Sequence, residues 1–341
     1  MDITRVEDMA ALQDFHLVES ASQDHDYVAL PADPVEEYLS SLSGQATAGE
    51  LRTLFLGREE GVPVGVLQMT IPVLDNLTSA NISINVHPAH RRRGHGRELL
   101  RFALDQMQRH GRTRMFAEVS HLLDGGQGRA VGLMKEFGAR PVLDDYRRLL
   151  DLTALPLVPR AAVPDGYRVV QWEDVAPEDL VDGLAYLLGR MSTDAPMGEM
   201  DYEQELWDAA RYREREQESQ VCGRRRIATA VVHESGQVAG VTDIGVNRTR
   251  PEVGFQWTTI VDPTHRGRGL GMVLKTWNHH YLVEAIPEVK FLNTWNSASN
   301  SYMIAINEAL GYQPMEMWTE YQLDLEPSGQ PSQAAPVSAS A

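Results

Sequence analysis

The chain has 341 residues, a formal charge of −17, 43% hydrophobic residues and one cysteine. Its length exceeds one ordinary core and fits two domains of roughly 150–170 residues. So acidic a chain lacks the broad basic face that duplex DNA or RNA demands. A single cysteine excludes internal disulfides and cysteine-rich zinc sites, and no apolar run reaches the ~20 residues of a bilayer span. Neither nucleic acid nor membrane is an expected partner, whereas a cationic small molecule suits the charge.

The opening "MDITRVEDMAALQDF" has no basic start or apolar block, so a cytoplasmic location is expected. A first helical region is followed by a strand hairpin whose second arm is "GVPVGVLQMTIP" at residues 61–72. The strand "NISINV" leads into "HPAHRRRGHG" at residues 87–96, and Leu99, Leu100, Ala103, Leu104 and Met107 then recur at helical spacing. A further strand, a helix ending in "FGARP" and a last strand "DYRRLLDL" complete this run.

The whole order then repeats. "GQVAGVTDIGVN" stands for the hairpin arm, and "FQWTTIV" runs into "DPTHRGRGLG" at residues 262–271. Leu270, Val273, Leu274 and Trp277 mark the helix, "LGYQP" its later partner and "EYQLDLE" the closing strand. Pro88 and Pro263, Arg91 and Arg266, Gly94 and Gly269, and Gly96 and Gly271 are each 175 positions apart. This fixed offset identifies a duplicated domain. The proline-rich stretch 152–166 marks the boundary, giving domains at 1–152 and 167–326 joined by a linker at 153–166. The small, polar tail 327–341 is expected to be disordered. The fold class is a mixed α/β (α+β) layer arrangement.

Glycines two apart between a strand and a helix let a ligand approach the backbone, and the helix N-terminus favours a phosphate there. No Gly-Lys-Ser/Thr follows, so a nucleotide P-loop does not fit, and the spacing is not that of a dinucleotide fingerprint. "RRRGHG" and "RGRGLG" resemble the Arg/Gln-x-x-Gly-x-Gly/Ala signature of the GCN5-related N-acetyltransferases, a resemblance covering both halves. It implies tandem acetyltransferase domains with acetyl-CoA as cosubstrate, no metal, and a small-molecule amine as acceptor. It also implies pantetheine contacts at Thr259, Ile260 and Val261, and pyrophosphate contacts around Arg266, Gly267, Arg268, Gly269, Leu270, Gly271 and Met272. The equivalent first-half positions are Ile84, Asn85 and Val86, then Arg91, Arg92, Arg93, Gly94, His95, Gly96 and Arg97.

"NTWNSASNSYMIAINEALGY" at residues 293–312 is similar to the family's segment carrying an Asn that contacts coenzyme A, which falls on Asn300. The tyrosine usual seven residues later is Asn307, and an amide cannot protonate a thiolate. Tyr302 is the substitute acid. Glu252 and Asp243 are the candidate bases, each with the alternative of a structural acid. Asn293 and Asn296 either orient ligand or bond where strands separate. The first half keeps neither the Asn nor a Tyr, so the C-terminal half is expected to be catalytic and the N-terminal half degenerate.

Plainer expectations attach to the remaining motifs. Cys222 reads as a strand-edge residue, "GRRRIA" at 223–228 as a solvated approach to a strand, and the charged run 201–220 as a solvated helix rather than an acceptor wall. His279, His280 and Glu284 lie in an amphipathic helix and carry no expected chemistry, and no metal spacing is present. The alternative function is a non-catalytic acyl-CoA binder or sensor, acting as monomer or homodimer.

Overall fold

A computed structural model describes residues 1–123, 130–194 and 196–326; the tail 327–341 expected to be disordered lies outside them. In chain order the elements are β1 (Asp2–Arg5), α1 (Met9–Asp26), α2 (Leu39–Leu42), β2 (Glu50–Glu59), β3 (Val62–Pro72), β4 (Ser79–Val86), α3 (His95–Arg109), β5 (Arg114–Leu122), α4 (Val131–Glu136) and β6 (Arg140–Asp151). They continue with β7 (Tyr167–Glu173), α5 (Val181–Asp194), α6 (Ala209–Val221), β8 (Arg224–His233), β9 (Val238–Asn247), β10 (Arg250–Val261), α7 (Leu270–Ala285), β11 (Phe291–Ser297), α8 (Ser301–Ala309) and β12 (Gln313–Asp324). Each half therefore opens on a short strand, not on the expected helix. β1 pairs with β2 and β7 with β8, covering an edge that would otherwise expose unpaired amides. No described helix is long and apolar enough to cross a membrane.

The strands form one sheet in the order β1-β2-β3-β4-β5-β12-β6-β11-β10-β9-β8-β7. The two similar closing strands have exchanged places. β12 pairs antiparallel with β5 from Glu316↔Leu122 to Asp324↔Arg114, and β6 pairs with β11 from Phe291↔Asp151 to Ser297↔Asp145. A buried arginine locks the exchange: the Arg147 Nε donates to Glu316 at 2.5 Å and its Nη1 to Asn293 Oδ1 at 2.5 Å, tying β6 to both neighbours. Such a charge is tolerated in the interior only because it is paired and fully hydrogen-bonded.

Helices cover both faces of each half. In the first, Leu99, Leu100, Ala103 and Met107 of α3 pack on Leu67, Met69 and Met115, while Phe15 and Val18 of α1 pack on Leu54 and Val66 opposite. In the second, Leu184, Leu187 and Leu188 of α5 meet Ala230 and Val241, and Val273 and Leu274 of α7 meet Val231 and Ala239.

Candidate active site

Among the described residues, parallel pairing occurs twice, once in each half, ahead of each glycine turn. β4 and β5 pair from Ser79↔Arg114 to Asn81↔Phe116 and then diverge; β10 and β11 pair from Val253↔Phe291 to Phe255↔Asn293 and then diverge. Each gap opens at the strand ends that lead into the glycine turn and its helix. The helices α1, α6 and α8 are capped by the side chains of Asp8, Asp208 and Asn300, but no side chain caps α3 or α7. Their first-turn N–H groups are therefore left for another acceptor.

The two turns share a backbone path at unequal strain. Gly94 and Gly269 are left-handed, with φ of 94° and 73°. Gly267 is also left-handed at 78°, but its counterpart is Arg92 at 66°, a conformation that costs a side-chain-bearing residue roughly 1 kcal/mol. A Cβ on Gly94, Gly267 or Gly269 would meet open space, which is what a cradle for a phosphate requires.

The leading arginines do something else. The Arg266 Nε donates to Val261 O at 3.1 Å and Nη2 to Asp194 at 2.7 Å; Arg91 repeats this with Val86 O at 2.9 Å and Asp26 at 2.8 Å. Each fastens its turn to the end of α5 or α1. Arg97 pairs with Glu136 at 2.7 Å, Arg93 approaches Glu59 at 3.7 Å, and Arg268 donates to Thr264 O at 2.9 Å.

In the first half the gap is also bridged. Ser22 Oγ donates to Asn85 on β4 at 3.2 Å, Tyr27 OH bonds Ser120 on β5 at 2.8 Å, and the Tyr27 ring stacks on Trp318. Among the described residues, no hydrogen bond from α5 reaches β11 in this way. The second gap is lined instead by a buried polar chain. Lys275, 1% exposed, donates to Asn307 Oδ1, and the Asn307 amide donates to Asn296 Oδ1 on β11. Among the described residues no carboxylate joins this chain, and burial pulls the Lys275 ammonium down to about 7. Asn307 is fully buried, so it acts on a ligand only through Asn296.

The remaining candidates scatter. Asn300 Oδ1 caps α8 by accepting Met303 N–H at 3.1 Å. Tyr302 is 58% exposed and lies against Gly271 on the first turn of α7. Glu252 stands at the paired end of β10, nine residues from Val261 and so about 30 Å from the turn. Asp243 is buried: its carboxylate accepts Arg226 at 2.9 Å and the Thr258 N–H at 3.0 Å, with Arg215 at 3.4 Å. Burial pushes this carboxyl up, but Arg215 and Arg226 outweigh it and hold it below the usual range, which makes it a poor base. It fixes the place between Gln256 and Thr259 where β10 slips register against β9, a bulge of the kind that re-aims backbone groups beside active sites. His279 is likewise buried, with Tyr312 OH at 3.1 Å, and Asn293 bonds Arg147 and Ala29 O.

Three plain expectations are corrected. Arg224–Arg226 is the start of β8 itself, with Arg226 only 2% exposed. Cys222 ends α6, its thiol donating to Glu37 O at 3.6 Å. The run 201–220 is no solvated helix: α6 buries Arg211, Tyr212, Glu216 and Ser219 and walls a cavity of about 240 Å³ between the halves. Trp257 of β10 lines the same cavity, its indole given room by Gly245, where a Cβ would stand 2.9 Å from the ring. Glu50 and Arg52 of β2 enter from the other half. No grouping of His, Cys, Asp and Glu suited to a metal occurs among the described residues.

Comparison with known proteins gives four likenesses. The acetyltransferase (GNAT) family model matches residues 16–138, the half expected to be degenerate. A mycothiol acetyltransferase of Thermomonospora curvata is 30% identical over 282 residues, 82% of each chain. Among solved structures, a tandem GNAT protein from the clavulanic acid biosynthesis pathway superposes with a TM-score of 0.80 at 26% identity, covering 96% of this chain and 99% of its own. A GCN5-related N-acetyltransferase from Sphaerobacter thermophilus gives 0.65 at 17% identity over 97% and 98% of the two chains, a likeness of fold.

Proposed function

The chain belongs to the acetyltransferase (GNAT) family, an N-acetyltransferase lineage that uses acetyl-CoA, and from that premise we propose that its C-terminal half transfers acetyl to the amine of a small molecule. The acceptor classes that suit it are an amino sugar, an antibiotic or a related metabolite. The observation that carries this reading is the contrast between the two gaps. Both turns lead into an uncapped helix, but the second gap combines an unstrained glycine turn with a buried lysine–asparagine chain, while the first is bridged by Ser22 and Tyr27. We place the domain limits at 1–152 and 167–326, each half completed by the other's closing strand.

Acetyl-CoA supplies the thioester. In this reading Thr259, Ile260 and Val261 flank the pantetheine, and the amides from Gly267 to Met272 receive the pyrophosphate. The acceptor nitrogen gives up a proton, forms the N–C bond as the C–S bond breaks, and leaves a thiolate that needs a proton or a nearby cation. Lys275, through Asn307 and Asn296, brings positive charge to the α7–α8 side of the gap, a role Asn307 alone cannot fill. Asp243 acts indirectly, by holding the bulge through Thr258. The N-terminal half serves as scaffold and as one wall of the cavity beside Trp257.

The test is thiol release from acetyl-CoA across an amine panel, with wild type, Gly94→Glu and Gly269→Glu. Turnover abolished by the second change and kept within about threefold by the first supports the assignment. Equal losses overturn it.

A further inference from the structure

The cavity between the halves has an unbalanced set of charges. Of its arginines, Arg224 is paired with Glu37 at 2.5 Å and Arg211 with Asp75 at 2.6 Å. Arg226 and Arg215 share the single carboxylate of Asp243. Arg52 donates to the Glu37 carbonyl at 3.2 Å, with no carboxylate partner among the described ion pairs. Among the described residues, Nε and Nη1 of the buried Arg226, whose guanidinium lies 5.8 Å from the centre of the Tyr212 ring, and Nε of Arg52 have no hydrogen-bond partner. A buried guanidinium N–H without an acceptor is costly, and each such donor is a place for an incoming anionic oxygen.

The acids facing them are of a different kind. Glu205 is fixed by Tyr202 and Trp207 at 2.8 Å each, but Glu50 and Glu218 have no bonded partner among the described residues. Crowding by protein raises both carboxyls above the ordinary range, so each is suited to receive a proton from an amine. Trp257 ties the cavity to the reaction. It lies two residues before Thr259 on β10, about 7 Å along the strand.

We propose that this cavity holds the acceptor and that the acceptor is an amine which also carries an anionic group, a carboxylate or phosphate, bound by Arg226 and Arg52 with the amine toward Glu50 and Glu218. The inference rests on the assignment of acetyl transfer to the C-terminal half. An engineered cavity of ~150 Å³ takes benzene, so about 240 Å³ suits a group of about ten non-hydrogen atoms, the size of a diamino acid or a hexosamine. Because Glu50 and Arg52 come from β2, the first half contributes to the specificity of the second.

The experiment compares matched amines on the acetyl-CoA-loaded protein: L-ornithine with 1,4-diaminobutane, L-lysine with 1,5-diaminopentane, and glucosamine 6-phosphate with glucosamine. Within at least one pair the anionic member is expected to have a kcat/KM at least ~10-fold higher, the worth of one charge-assisted contact. The amino-acid and sugar arms tell carboxylate from phosphate. Arg52→Gln and Arg226→Lys should each collapse that ratio toward one while acetyl-CoA affinity stays unchanged; should Arg226→Lys fail to fold, the half-buried Arg52 decides. Neutral amines served equally well, a ratio untouched by the variants, or no binding of any anionic amine to the loaded protein overturns the inference. Failure of the wild type to bind acetyl-CoA would strike the parent assignment instead, and calorimetry with acetyl-CoA alone reports that separately.

Discussion

The two halves share one backbone plan but differ in what lies beneath the helix that follows each glycine turn. Under α7, Lys275, Asn278, Asn307, Asn296 and Tyr312 are polar and mostly buried. Their first-half counterparts are Leu100, Ala103, Met134, Val119 and Ala139, every one apolar and buried. Lys275 and Asn278 stand 175 after Leu100 and Ala103, Asn307 and Tyr312 stand 173 after Met134 and Ala139, and Asn296 stands three residues past the last paired residue of its strand, as Val119 does. An apolar core is the cheaper solution, so a half that keeps a buried lysine without a carboxylate carries a burden that packing does not explain. The first half has no such residue there, and Ser22 of α1 and the following Tyr27 bond to the two strands that flank its gap.

Three changes would break or sharpen this contrast, beginning with the strongest. Asp243→Ala strands Arg226 and Arg215 in the interior and is expected to cost about 3–5 kcal/mol, whereas Gln68→Ala at the matching first-half position should stay within about 1 kcal/mol. Denaturant unfolding of the two variants makes the comparison. A small loss for Asp243→Ala would mean that the polar interior of the second half is not tightly coupled.

Lys275→Met exchanges charge for an apolar chain of similar length. Because the folded ammonium titrates near 7 and the unfolded one near 10.4, the unfolded chain binds more protons between those values, and wild-type stability rises with pH across that window. The variant loses that slope. It should be about 2 kcal/mol more stable than wild type at pH 6, the relieved desolvation exceeding the cost of the unpaired Asn307 oxygen, and less stable near pH 10. Thermal midpoints at both pH values test this, and curves that stay parallel would contradict the buried cation.

The smallest effect lies in the turns. Arg92→Gly removes left-handed strain and should stabilise by a few tenths to about 1 kcal/mol, while Gly267→Ala imposes it and should destabilise by a similar amount. Opposite signs in a thermal-shift measurement confirm that the two turns hold one geometry.

Much of this was legible in the chain because duplication leaves a fixed offset. Pro88 with Pro263 and Gly94 with Gly269 gave the repeat and the strand-turn-helix context. The strand exchange was not legible, since "DYRRLLDL" and "EYQLDLE" have the same alternation whichever edge they join, and contacts such as Arg147 with Glu316 and Asn293 exist only in the folded chain. The burial of α6 was hidden by its composition. Arg211 and Glu216 look solvated in sequence, but in the folded chain Arg211 pairs with Asp75 of the other half and Glu216 accepts the Ala176 N–H within its own half. Lys275 had a signal that local periodicity obscures: aligned on the offset, it falls in a register position occupied by a core leucine. Glu252 lies beside the closed, paired end of β10, a placement that the strand's sequence pattern does not reveal.

The most direct measurement is a calorimetric titration of acetyl-CoA into the wild type, Gly94→Glu and Gly269→Glu. These glycines form a matched pair, both left-handed and both facing open space, whereas a side chain at Gly271 would strike Ile306 at 2.9 Å and confuse folding with binding. One site, lost with Gly269→Glu and retained with Gly94→Glu, is the result expected of a working second half. A site lost only with Gly94→Glu would contradict the account and place the reaction in the half that the bridges of Ser22 and Tyr27 close.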